Sequence, residues 1–234
     1  MELTLWNKQL GISSLNSKAK LTFVERNMIN LTPRARSIII GLLLSDGWLR
    51  KIGHWNTRLG IKQSIGNFNY FWLVYSELAF LCSGKPILGK SFLRGKLFYN
   101  ICLYTRQLEC LNDIFHLFYT YSPQGNKKGK YIKIIKTELL FEMNFIVLAH
   151  WIQGDGSRHR ESLVLNTQGF KLKEVILLIN ILIIKFDIKP SLQKDRGYYR
   201  IYINKNDLNK IKSQIVPFFS EHFLYKISYS GVKH

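Results

Sequence analysis

The chain of 234 residues carries 34 Lys and Arg against 15 Asp and Glu, a net charge of +19 that points to phosphate-bearing partners. With 47% hydrophobic residues it has the material for a sizeable core, which excludes wholesale disorder. Its longest apolar stretch, Val175 to Ile184, contains Asn180 and reaches about half of the ~20 residues that a membrane span needs, so a core helix is expected and a membrane partner is not.

Residues 1–30 are polar and aperiodic and read as an N-terminal arm, without the charged-then-apolar order of a signal peptide. A helix opens at Thr32-Pro33, a hydroxyl cap followed by proline where its missing N–H costs nothing. It runs through Ile38–Leu44 and stops at Asp46-Gly47, where glycine is expected to supply a left-handed C-terminal conformation. Trp55–Ser64 alternates polar and apolar residues and reads as a strand, and Phe68–Leu81 has helical spacing. Ile87–Phe92 and Leu97–Tyr104 form a hairpin around Arg94-Gly95-Lys96, and Leu108–Tyr119 returns to helix. These elements make a first half over 31–121.

Ser122 to Lys130, with its Pro, Gly, Asn and lysines, breaks the pattern and marks a linker over 122–142. The order then repeats over 143–227. A helix capped by Asn144 ends at Asp155-Gly156, Glu161–Thr167 is strand-like, and Leu172–Phe186 is a helix. Ile188–Gln193 and Tyr198–Ile203 form a hairpin around Lys194-Asp195-Arg196-Gly197, Asp207–Phe219 is helical, and 228–234 is a basic tail. Both halves therefore read helix, strand, helix, hairpin, helix, an α+β arrangement. Cys82, Cys102 and Cys110 lack C-x-x-C spacing, which argues against a disulfide framework or thiolate zinc site and fits a reducing compartment. The abundance of Ile, Lys, Asn, Phe and Tyr, residues of A/T-rich codons, points to an organellar genome.

The repeat is sharpest at Ile39-Ile40-Gly41-Leu42-Leu43-Leu44-Ser45-Asp46-Gly47 and Leu148-Ala149-His150-Trp151-Ile152-Gln153-Gly154-Asp155-Gly156. Each is an apolar helical run ending in Asp-Gly. A carboxylate beside the unpaired carbonyls of a helix C-terminus sits at the negative end of the dipole, an unfavourable place unless a cation is present. Carboxylate and carbonyl oxygens are hard ligands suited to Mg²⁺, which keeps several waters and accepts substrate phosphate. Gly41 and Ala149 are small enough to let two such helices approach closely across a pseudo-twofold axis. A single Asp-Gly is a common turn; two copies half a chain apart in a strongly basic protein point to metal-dependent chemistry on a polyanion. His150 is expected to be a packed side chain, and His54, His116, His159, His222 and His234 show no metal-ligand spacing.

These two segments resemble the paired motifs of the LAGLIDADG homing endonucleases, the second more closely. Leu165-Asn166-Thr167-Gln168, the helix after it, the strand around Arg200 and Phe223-Leu224-Tyr225-Lys226 are similar to the second half of the single-chain, two-motif members, and the resemblance covers about residues 33 to 227. Ile40 in place of alanine in the first motif and His150 in place of glycine in the second depart from the pattern at helix-packing positions. The resemblance implies a monomer of two αββαββα halves, motif helices packed at the pseudo-dyad and strands forming a saddle over double-stranded DNA. Asp46 and Asp155 match the metal-binding aspartates, assisted by the carbonyls of Ser45 and Gly154. Lys226 matches the family's basic residue in the second half. Its first-half counterpart is Lys130, with Lys133 as a competitor. Gln63 and Gln168 match polar residues that order active-site water. The activity implied is a staggered double-strand cut in a long asymmetric site, with Mg²⁺ or Mn²⁺ as cofactor, in a mitochondrion or, alternatively, a chloroplast.

For DNA reading, Arg58, Gly60 and Lys62 share one face of a strand while Leu59 and Ile61 share the other. Lys96, Asn100, Tyr104 and Arg106 repeat this in the first half, Tyr198 and Arg200 in the second, and Arg158 joins the DNA-contacting set. Arg94, Lys96, Lys194 and Arg196 at the hairpin tips would reach outer base pairs or backbone, since a β-ribbon fits the major groove. Each charge also has a plain role as a solvated edge residue. Two readings compete with the nuclease: a maturase that binds its host intron RNA on the same scaffold, and a DNA-binding regulator, which leaves the two Asp-Gly helix ends without a purpose.

Overall fold

The computed structural model describes residues 21–93, 95–124 and 127–228. Arg94 and most of the N-terminal arm and C-terminal tail lie outside the described residues. The chain divides into two compact units between Phe115 and His116.

In the first unit a short helix α1 (Phe23–Asn27) is closed by a Thr22–Glu25 capping box. Helix α2 (Pro33–Leu43) begins as expected, with the Thr32 hydroxyl accepting from the Ala35 N–H at 3.1 Å. Ile38 to Leu44 are all buried. Strands β1 (Gly47–Arg50) and β2 (Arg58–Ser64), helix α3 (Phe68–Leu78), strands β3 (Ile87–Leu93) and β4 (Lys96–Tyr104) and helix α4 (Asn112–Phe118) follow. The strands form an antiparallel sheet in the order β1-β2-β4-β3. Alternation decides its two faces: Leu49, Leu59, Ile61, Ile101 and Leu103 are buried against the helices, where α3 adds Tyr70, Phe71, Val74 and Leu78.

The second unit starts with a two-stranded ribbon, β5 (Tyr119–Gln124) and β6 (Lys127–Lys133), then a one-turn helix α5 (Leu139–Glu142). Helix α6 (Phe145–Asp155) is capped by Asn144, whose side chain accepts from the N–H groups of Ile146 and Val147. Strands β7 (Gly156–His159) and β8 (Ser162–Asn166), helix α7 (Leu172–Phe186), strands β9 (Ser191–Asp195) and β10 (Tyr198–Ile203) and helix α8 (Lys205–Ile215) complete it. The sheet order β7-β8-β10-β9 repeats that of the first unit. Leu163, Leu165, Ile201 and Ile203 form the buried face. Each unit is thus αββαββα, and the fold is α+β.

Three expectations need correction. The start of the segment read as a linker, where no strand was expected, is a β-hairpin, because Tyr119–Tyr121 and Tyr131–Lys133 pair across its glycines and lysines. The strands β1 and β7 went unread: each is only four residues long, too short for alternation to show, and β7 has no aliphatic residue. Finally, Gly47 and Gly156 do not take the left-handed conformation. Gly156 is extended at φ −74° and ψ 139°, and Gly47 is not among the glycines with positive φ. Glycine serves there for close approach. A Cβ on Gly47 would lie 2.9 Å from the Leu42 carbonyl oxygen, and one on Gly156 would lie 2.5 Å from that of Ile152. Left-handed glycine appears instead at the hairpin tips, Gly95 and Gly197.

Candidate functional site

Asp46 follows the last turn of α2 with its side chain exposed. Behind it, the Gln63 Nε2 at the end of β2 donates to Asp46 Oδ2 at 2.6 Å, and Asn67 Nδ2 donates to Gln63 Oε1 at 3.0 Å. Gln63 is buried on the helix-facing side of the sheet, and Ser45 turns its hydroxyl back to the Gly41 and Leu42 carbonyls at 3.2 and 3.3 Å. The fully buried Tyr70 has its hydroxyl pKa pushed up by burial, with the nearby Asp46 charge adding to the shift. Gln63 therefore stands directly against Asp46, a hydrogen bond that the sequence reading did not name, and Asn67 and Tyr70 were not foreseen.

In the second unit Asp155 is the last residue of α6, and its backbone carbonyl accepts from Asn166 Nδ2 at 2.8 Å. The Lys226 ammonium is buried under the same helix end. It donates to the Gln153 carbonyl at 2.6 Å, lies 3.4 Å from that of Ile152, and sits 4.4 Å from the centre of the Phe223 ring. A cation at a helix C-terminus complements the dipole. Gln153 ties that turn to the segment after α8: its Nε2 donates to the Phe218 carbonyl at 3.0 Å and its Oε1 accepts from the Ser220 N–H at 2.7 Å.

Gln168 is not the partner of Gln63. The glycines opening the two hairpins, Gly47 and Gly156, pair with Ile61 and Leu165 respectively. Two residues on from these stand Gln63 and Thr167, so Gln168 falls one place late, beyond β8 and exposed. Thr167 is buried, with its hydroxyl donating to the Tyr199 carbonyl at 2.7 Å. The likeness of the two glutamines is a likeness of letters; strand pairing alone reveals the phase.

Lys130 is exposed on β6 opposite Ser122. Lys133, opposite Tyr119, is three residues on and faces the other side of the ribbon.

On the face of the first sheet turned from its helices, pairing groups Arg58, Gly60, Lys62, Lys96, Asn100 and Tyr104, as expected. Arg58 lies 5.2 Å from the centre of the Tyr104 ring, and Trp48 covers Gly60. Asn100 is buried, its Nδ2 donating to Ser91 at 3.4 Å, and Arg106 is turned to the carbonyls of Phe80 and Cys82. In the second sheet Tyr198 and Arg200 share the outer face, where Asp195 pairs with Arg200. Lys194 pairs with Tyr199 and so alternates to the other side, while Arg196 is exposed at the hairpin turn. Arg158 pairs with the buried Leu163, which sets it on the helix side with Leu208 and Lys212 and apart from Arg200.

Among the described residues no cluster of three or more His, Cys, Asp or Glu gathers to hold a metal. Each helix end instead offers one carboxylate with neighbouring carbonyl oxygens. That donor set suits a hard cation that keeps its waters and does not suit a closed zinc site. No helix among the described residues is long and apolar enough to cross a membrane.

Comparison with known proteins agrees with this geometry. The LAGLIDADG DNA endonuclease family matches residues 36–211. Over 94% of its length the chain is 29% identical to the cytochrome b mRNA maturase bI2 of Saccharomyces cerevisiae, and it spans only 53% of that protein. It is 34% identical over 116 residues to the probable intron-encoded DNA endonuclease 3 of Mycosarcoma maydis, covering 49% of this chain and 82% of that one. Among solved structures its fold is similar to the homing endonuclease I-WcaI bound to its DNA recognition sequence, with a TM-score of 0.75 and 24% identity over 86% of this chain and 89% of that one. With a family match over most of its length and a helix-end aspartate in each αββαββα unit, the chain belongs to the LAGLIDADG DNA endonuclease family.

Proposed function

We propose that the chain is a site-specific homing endonuclease that cuts both strands of a long asymmetric DNA target, working as a monomer in an organelle, most plainly a mitochondrion. The observation that carries this reading is the pair of helix ends, each presenting an aspartate braced from its own unit: Asp46 by Gln63, and the Asp155 turn by Asn166 and Lys226. A hard divalent cation, Mg²⁺ or Mn²⁺, would be held at each helix end, by Asp46 with the Ser45 carbonyl in one unit and by Asp155 with the Gly154 carbonyl in the other, and would activate water and neutralise the leaving oxygen. Gln63 keeps the Asp46 carboxylate aimed. Lys226 holds the turn that carries Asp155 and sets a positive charge behind it, and Lys130 supplies a further cation. Arg58, Lys62, Lys96 and Tyr104 from one sheet and Tyr198 and Arg200 from the other read the duplex, with Arg196 at a hairpin tip on the backbone. Two units with different side chains on these faces read two different half-sites.

Purified protein incubated with a plasmid library of intronless organellar gene segments, with Mg²⁺ and with chelator, tests this directly. The expected result is one long asymmetric site cut only with Mg²⁺. Asp46→Asn or Asp155→Asn should abolish double-strand cutting and leave most of the DNA affinity, which comes largely from phosphate contacts. Full cutting by the doubly substituted protein would refute the assignment. The match along nearly the whole chain to a maturase supports a second reading, an intron RNA-binding splicing cofactor. Tight binding to intron RNA without any cutting would favour it.

A further inference from the structure

We propose that Asn67 is a positioning residue for the first unit's centre: its side-chain amide decides which end of the Gln63 amide faces Asp46. This rests on the nuclease reading for its purpose, though its geometry stands by itself. A carboxylate only accepts hydrogen bonds, so Gln63 must turn its NH₂ to Asp46, which it does at 2.6 Å. That leaves Gln63 Oε1 facing Asn67, whose Nδ2 donates to it at 3.0 Å. Were the Gln63 amide rotated by half a turn, its carbonyl oxygen would confront the Asp46 carboxylate, two acceptors face to face. Asn67 holds the amide against that rotation.

The position of Asn67 strengthens the inference. It stands at the N-cap of α3, where asparagine ordinarily accepts from the second or third backbone N–H of the helix, yet it makes no such capping bond. Its amide is committed to Gln63 instead. The second unit does not repeat the device. Phe68 opens α3 as Leu172 opens α7, so Asn67 is matched by Lys171 and Gln63 by Thr167. Lys171 uses its backbone N–H, bonded to Glu174 at 2.7 Å, and the Thr167 hydroxyl is turned to Tyr199. The chain of two amides belongs to one of the two aspartates.

The test compares Asn67→Ala with Asn67→Asp, using Asp46→Asn to mark the centre's own contribution. Mn²⁺ affinity by titration calorimetry, single-turnover cleavage rate and melting temperature are measured for each. Alanine removes the restraint on Gln63, whereas aspartate presents an acceptor that draws the Gln63 NH₂ away from Asp46. The expected order of Mn²⁺ affinity and cleavage rate is therefore Asn, then Ala, then Asp, with the Asp variant down about tenfold or more. A plain capping role predicts the reverse for the variants, since aspartate caps a helix as well as asparagine does and alanine does not. Its added negative charge would also raise cation affinity. An Asp variant that binds Mn²⁺ as well as or better than the Ala variant overturns the proposal, as does a wild-type chain that binds none. The expected affinity order in a protein that cuts no DNA would keep the positioning role and remove the nuclease reading.

Discussion

Burying the Lys226 ammonium is tolerable because it lands where a helix leaves carbonyls unpaired. Its stem packs in the core while its charge meets the Gln153 and Ile152 oxygens and the face of Phe223. Lys226→Ala would leave those oxygens without their donor and is expected to cost about 1–3 kcal/mol, a fall in melting temperature of several degrees. Lys226→Met keeps the packing and should lose less. Equal melting of both variants and wild type would show that the buried contact contributes nothing. At this scale the sequence was partly legible. Asp46 and Asp155 stand out because a carboxylate closing an apolar helix is unusual, whereas Lys226 and Gln63 were picked out only by the family resemblance. Asn67, Asn166 and Gln153 gave no signal: an amide's role depends on which atom it points at, and composition carries no direction. Gln168 misled for the same reason, since its phase depends on a pairing that only the folded sheet fixes.

The turn from motif helix to first strand relies on a backbone pressed against a backbone. Gly156 touches the Ile152 carbonyl so closely that a Cβ would fall at 2.5 Å, and the neighbour is main chain with no freedom to rotate away. Gly156→Ala should therefore force the strand from the helix, destabilising the second unit by about 1–3 kcal/mol and displacing Asp155 next to it. Melting of the variant unchanged from wild type would remove this explanation for the glycine. The amphipathic and capped elements, α2, α6, α7 and both outer hairpins, were readable because their cues lie within a dozen residues. Strands β1 and β7 are too short for alternation to register, and the β5–β6 ribbon hides behind turn-forming residues.

Among the described residues, three acid–base groups of the first unit, two thiols and a phenol, have raised pKa values. Burial lifts the Cys82 thiol from 9.0 to about 12, and burial first, then neighbouring carboxylates, lifts Cys110 to about 11; the Tyr70 hydroxyl also moves up. Each of the two folded thiols keeps a proton that the unfolded chain releases from about pH 9, so their stability is full below that pH and is lost as pH rises through 11 to 12. Melting temperature should fall steadily between pH 9 and 11, and less so in Cys82→Ala than in wild type when each is referred to its own value at pH 8. A flat profile would contradict the assigned burial. The repeat of topology between units was legible from element order, while the unequal bracing of Asp46 and Asp155 was not, since it arises from side chains that differ at matched positions. One consequence concerns the hairpin loops. Seven residues, Lys51 to Thr57, join β1 to β2, but only two, Arg160 and Glu161, join β7 to β8. Both hairpins nevertheless bring the same matched residues opposite the glycine after the aspartate, because ladder pairing and not chain length fixes that distance. The exposed part of the loop between β1 and β2, Ile52 to Trp55, is thus a place where the gene can gain or lose codons without disturbing the centre, while Asn56 and Thr57, tied to Asn112, fix its far end.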